Sequence, residues 1–135
     1  MKTGTIIFWI VRVIAALILL QTLFFKFSAA PESVEIFTRM GMEPWGRIGT
    51  GVVELISAIL ILVPSTVWLG AVLAAGVMGG AILSHLTVLG ISVQNDHGQL
   101  FSYAVIVMVC ALVALWKSRR DIPAGLRKFL PLFLQ

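Results

Sequence analysis

The stretch Ile48–His85 reads IGTGVVELISAILILVPSTVWLGAVLAAGVMGGAILSH. It holds two apolar runs joined only by Pro64-Ser65-Thr66, a connection short enough to make them antiparallel neighbours. One carboxylate, Glu54, lies inside the first run, and one imidazole, His85, closes the second. Each run is close to the roughly 20 residues that a helix needs to cross a hydrocarbon layer. A backbone in lipid must satisfy its own hydrogen bonds, so these runs are expected to be helices. The period-2 alternation of a membrane barrel is absent.

Two further runs flank the pair. The four apolar runs cover about residues 5–26, 46–63, 67–89 and 100–116. Across the whole chain 59% of residues are hydrophobic and 12% charged, against about 25% charged in soluble domains. The expected fold is all-α: an integral membrane four-helix bundle forming a single domain over residues 1–135. The first run, with Lys2 ahead of it and Ser28-Ala29-Ala30 behind, resembles a secretory signal. It is longer than the roughly 7–15 apolar residues of one and carries Arg12 within it, so it is expected to be a retained span.

The connections are informative. Pro31-Glu32-Ser33 followed by Val34, Phe37 and Met40 spaces apolar side chains for a short amphipathic helix over 31–40, ended by Gly41 and expected at the membrane interface. Residues 90–99 form the most polar loop, with Asn95, Asp96, His97 and Gln99. Lys117, Arg119, Arg120, Arg127 and Lys128 follow the fourth run. With an even number of spans, this bias predicts both termini in the cytoplasm of a bacterial-type plasma (inner) membrane. The tail 117–135 is expected in the cytoplasm, with Ile122–Gln135 lying on that membrane surface and a disordered end as the alternative. The net charge of +4 therefore reflects topology, and nucleic acid is not an expected partner. Gly76, Gly80 and Ser84, like Ala71, Ala75 and Gly79, recur every four residues in the third run, a pattern that predicts close helix packing on two sides.

Ionisable groups at membrane depth are costly and mark functional sites by default. At about 1.5 Å rise per residue, Glu54 lies roughly 12 Å below the outer surface and His85 roughly 6 Å below it. Lys26 ends the first helix, Gln21 lies about 7 Å deeper, and Tyr103 is near the outer start of the fourth. These five residues share the outer half and are the candidate pocket, with Asp96 and His97 as secondary candidates in the loop above. Arg12 lies at the inner end, where it is expected to snorkel to the headgroups. Glu54 pairing with Lys26 or His85 would hold the bundle together; a polar pocket able to bind a ligand or exchange protons is the functional alternative. No catalytic residue stands out. The two histidines lack metal-ligand spacing, no serine sits in a nucleophile elbow, and no phosphate loop exists, so no metal or intrinsic cofactor is expected.

The order of features is similar to one family. Phe24-Phe25-Lys26-Phe27 ends the first helix; Gly41-Met42-Glu43-Pro44 precedes the second and Gly51-Val52-Val53-Glu54-Leu55 opens it; Leu69-Gly70-Ala71 starts the third, and Met78-Gly79-Gly80-Ala81 with His85 ends it. Over about residues 8–116 this resembles the DoxX and DoxX-like family of four-helix membrane proteins, with Lys26, Glu54 and His85 at its polar positions. The resemblance implies a redox-accessory subunit, after the thiosulfate:quinone oxidoreductase subunit that names the family, or an assembly protein. It also implies a quinone-like or other lipophilic ligand, and a membrane redox partner or a second copy of the chain.

Overall fold

The computed structural model describes residues 2–135. All four apolar runs are helices: α1 (Thr3–Phe27), α3 (Trp45–Leu62), α4 (Val67–Ser84) and α5 (Gln99–Lys117). The amphipathic segment is α2 (Pro31–Arg39), and a single helical turn, α6 (Ala124–Arg127), lies in the tail. The four long helices are apolar enough to cross a membrane, and their outward faces carry exposed Leu, Ile, Val, Phe and Trp side chains suited to lipid contact.

Packing follows the chain reversals. The main contacts of α1 are with α3 and α5, and those of α4 are with the same two helices, so α1 and α4 stand on one diagonal of a square. Ala15, Ala16, Ala58, Ala71, Ala74, Ala111 and Ala114 are buried where the helices meet, with Ile61, Val67 and Val107 between them. Small side chains let the helices approach closely at the end that carries the chain termini. The other end, roofed by α2 and the 90–98 loop, holds the polar residues.

Three expectations change. The stripe Gly76/Gly80 is not a packing surface: a Cβ at either position would meet nothing within 4 Å. Close approach falls instead on Gly70, where a Cβ would lie 2.7 Å from the Ile61 backbone nitrogen. Arg12 does not snorkel. It is 1% exposed, donating from Nε to the Ile61 carbonyl at 2.7 Å and from Nη2 to the Leu62 carbonyl at 2.8 Å. Those carbonyls end α3 and have no partner further along the helix, so a cation is well placed there. The guanidinium also stacks 3.8 Å over Trp9, which lets it stay inside. Finally, α4 does not run unbroken to Leu89; its last turn, His85–Leu89, is a π turn that ends at Gly90 with φ +80°. The tail packs on the bundle through buried Ile122 and Leu134.

The glycines divide accordingly. Gly70→Ala should lower the melting temperature in detergent, because backbone must move. Gly76→Ala and Gly80→Ala should raise stability by about 0.5–1 kcal/mol each, since both are helical glycines facing open space.

Candidate functional site

Glu54 is 1% exposed and forms an ion pair with Lys26, its Oε1 accepting from the ammonium. The Thr22 hydroxyl lies 3.0 Å from Oε2 and 2.8 Å from the Leu19 carbonyl, with one proton to share between them. Lys26 is fixed at its other end too, because Arg47 Nη1 donates to the Lys26 carbonyl. Arg47 is buried and pairs with Glu43 one turn earlier at 2.8 Å. By sequence Arg47 counts as one of several cations in a mixed-charge connection. Its signal is the Glu43–Arg47 spacing of four residues beside the first turn of α3.

His85 does not join this network. Its Nδ1 is 2.8 Å from the Gly90 carbonyl, so that nitrogen carries the proton and donates. Nε2 remains as the acceptor of the neutral ring. The imidazole packs edge-on against Phe101 with centroids 5.6 Å apart. Of the two partners that the sequence offers Glu54, the structure pairs it with Lys26, with Thr22 beside them, while His85 is turned to the loop by the π turn. Such turns recur at functional sites.

Between these groups lies a cavity of about 710 Å³. Lys26, Thr22 and Gln21 of α1, Glu54 and Thr50 of α3, His85 beyond α4, and Tyr103 of α5 all line it. Its remaining wall is largely apolar: Phe25, Ile36, Phe37, Met78, Leu89 and Ala104 contribute, and Gly76 and Gly80 leave room. The five pocket candidates therefore share one cavity. Asp96 lines it as well, whereas His97 is exposed in the loop and is not part of the wall. Tyr103 accepts a 2.8 Å hydrogen bond from Gln99 Nε2, leaving its own hydroxyl proton free to be donated.

The roof is α2. The sequence predicts a short amphipathic helix here, and its apolar face is turned to the protein: Ser33 and Phe37 are buried on the bundle, and Ile36 and Met40 line the cavity. Polar ties hold it there. Arg39 donates to the Val88 carbonyl at 3.1 Å, and Gln94 Nε2 donates to Glu35. Asp96 orders the loop on the other side: its Oδ1 accepts from the amides of Val93 at 3.0 Å and Gly98 at 2.8 Å, and its Oδ2 from Leu100 at 3.1 Å. Burial opposes ionisation of Asp96, but these three donors, with nearby His85 when protonated, outweigh it and hold the carboxyl below the usual range.

The cavity reaches Ile18 and Leu19 on α1, Glu54 on α3, and Gly76 and Val77 on α4. Below that level the bundle is the close-packed alanine-rich core. The site is a pocket in the half nearer α2, its wall mostly apolar, with Lys26 and Glu54 as one polar group and His85 and Tyr103 as another. This defines a class: a small all-helical membrane protein with four helices able to span a bilayer and a cavity between them. The sequence profile of the DoxX-like family matches residues 10–116, and the chain belongs to that family. Neither a curated protein nor a solved structure matches it.

Two outcomes follow from the charges. Glu54→Gln leaves the Lys26 ammonium unpaired in a mostly buried position and should cost about 3 kcal/mol, while Lys26→Met/Glu54→Leu should recover most of the loss. Thermal unfolding in detergent reads both. Asp96 has a depressed folded pKa, so its contribution is complete above the ordinary value of about 3.9 and is lost as pH falls through the folded value. Exchange protection of the Val93, Gly98 and Leu100 amides should fall over that acid window in wild type. It should already be low at neutral pH in Asp96→Ala.

Proposed function

We propose that this protein is a membrane redox-accessory subunit whose cavity binds a quinone-like ligand, an apolar body bearing ring oxygens. The observation that supports this most directly is the cavity itself: its volume lies within the usual range for small-molecule sites, and its wall is apolar with few polar groups. A ligand of this kind needs a donor or acceptor at each oxygen. Lys26 and Glu54 form one polar face; His85 and Tyr103 form the other. Neutral His85 presents Nε2 as an acceptor for a hydroquinone O–H, and the protonated ring would donate to a quinone oxygen. Tyr103 has a hydroxyl proton to donate. The electrons would come from a partner subunit in the same membrane, or pass to one. This chain's part is the pocket, the hydrogen bonds and the proton exchange. The positive bias of the terminal end favours a cytoplasmic location for it, in a bacterial-type inner membrane, which puts the cavity in the outer leaflet.

A non-catalytic assembly protein is the second possibility. It is favoured by the Lys26–Glu54–Thr22 network and by Arg47, which together tie α1 to α3 without any ligand. A solute pathway has less in its favour, because Arg12 is the one buried charge toward the terminal end among the described residues, and it is engaged in capping α3.

The discriminating experiment is titration of purified protein with a short-chain ubiquinone, followed calorimetrically. Saturable binding is expected. His85→Ala should weaken it about tenfold, the scale of one lost hydrogen bond. Gly80→Phe, which fills open space, should abolish binding while the protein still melts cooperatively. Absence of saturable binding to wild type, or binding untouched by His85→Ala and Gly80→Phe, would leave the assembly role as the better account.

A further inference from the structure

A second depression, of about 340 Å³, lies at the terminal end and is lined by Lys2, Gly4, Thr5, Phe8 and Lys117. A Cβ at Gly4 would stand 3.6 Å from Lys117 Nζ, an ordinary contact distance, so the ammonium lies close beside the start of α1. Lys2 and Lys117 have no carboxylate partner: the ion pairs among the described residues are Lys26–Glu54 and Glu43–Arg47, both at the opposite end.

The surroundings share this imbalance. Arg119, Arg120, Arg127 and Lys128 follow, with Asp121 as the one acid among them. Arg119 and Arg127 spend hydrogen bonds on the Trp116 and Ile122 carbonyls, which leaves their charge uncompensated. The tail is anchored by Ile122 and Leu134, and so it displays Leu126, Phe129 and Leu132 outward at 47%, 77% and 89% exposure. Trp9 and Trp116 are exposed near the same end, as aromatic side chains are at a membrane–water boundary. Cations and exposed apolar side chains gathered at one end of the bundle match a ligand that is anionic at one end and apolar at the other.

We propose that this end binds an anionic phospholipid, its phosphate seated between Lys2 and Lys117 and its glycerol and acyl region beside the apolar side chains of the tail. A zwitterionic headgroup brings its own cation toward the lysines and is a poorer match. Free phosphate lacks the apolar part. This site is separate from the cavity and stands or falls independently of the quinone.

The test uses the full chain in neutral detergent, with short-chain phosphatidylglycerol, short-chain phosphatidylcholine or inorganic phosphate added at equal concentration. Melting temperature and native mass spectrometry give stabilisation and the number of lipids bound. Phosphatidylglycerol should bind and raise the melting temperature, and the other two should not. Lys2→Gln/Lys117→Gln should weaken phosphatidylglycerol binding about thirtyfold, the scale of two basic side chains near an anionic surface. If the double variant does not fold, Lys2→Gln alone, at an exposed position, should weaken it about fivefold. Equal binding of phosphatidylcholine, reproduction of the effect by phosphate, or undiminished binding to the folded variants would each overturn the proposal.

Discussion

A carboxylate inside a membrane helix has to find a cation or give up its charge, because hydrocarbon solvates neither a bare anion nor a bare ammonium. Here Glu54 finds Lys26 across the α1–α3 interface. Much of the half nearer α2 is arranged around that pair. Thr22 takes the second carboxylate oxygen, and Arg47, paired with Glu43, takes the Lys26 backbone carbonyl. The ends of α1 and α3 are thereby held at one spacing by charge. At the opposite end the same two helices are held by Arg12, which donates to the last carbonyls of α3. Between those ties, alanines close the core.

The cavity is a consequence of how unevenly the small residues are used. Gly70 and the buried alanines bring backbones together near the terminal end. Gly76 and Gly80, on the same helix, face open space instead. The same residue type, glycine, therefore does opposite things on the two halves of α4. What differs is the neighbour: Ile61 presses against Gly70, whereas no side chain fills the volume in front of Gly76 and Gly80. The π turn then rotates His85 so that its Nδ1 meets Gly90. Arg39 takes up the Val88 carbonyl at the same turn and secures the roof helix.

That roof bears on access. α2 has the composition of a helix that lies in the headgroup layer, yet its apolar face covers the bundle. It is joined to the rest by exposed polar contacts, Arg39 to Val88 and Glu35 to Gln94, which are individually weak in water. The short helix thus covers part of the cavity through weak ties. The protein is an all-helical member of the DoxX-like family with four helices able to span a membrane.

The sequence by itself determined the four spans, because hydrocarbon permits only internally bonded backbone and the apolar runs have the length to cross it. It also determined which polar residues share a depth, because helical rise converts residue number into height. Gln21, Lys26, Glu54, His85 and Tyr103 do line one cavity. Height says nothing about azimuth, and azimuth decides partners. Only the tertiary structure decided that Lys26 and not His85 pairs with Glu54, that Arg12 turns inward to cap α3, and that Arg47 braces the pair. Each depends on how neighbouring helices are rotated about their own axes, and that rotation is set by packing between segments distant in the chain.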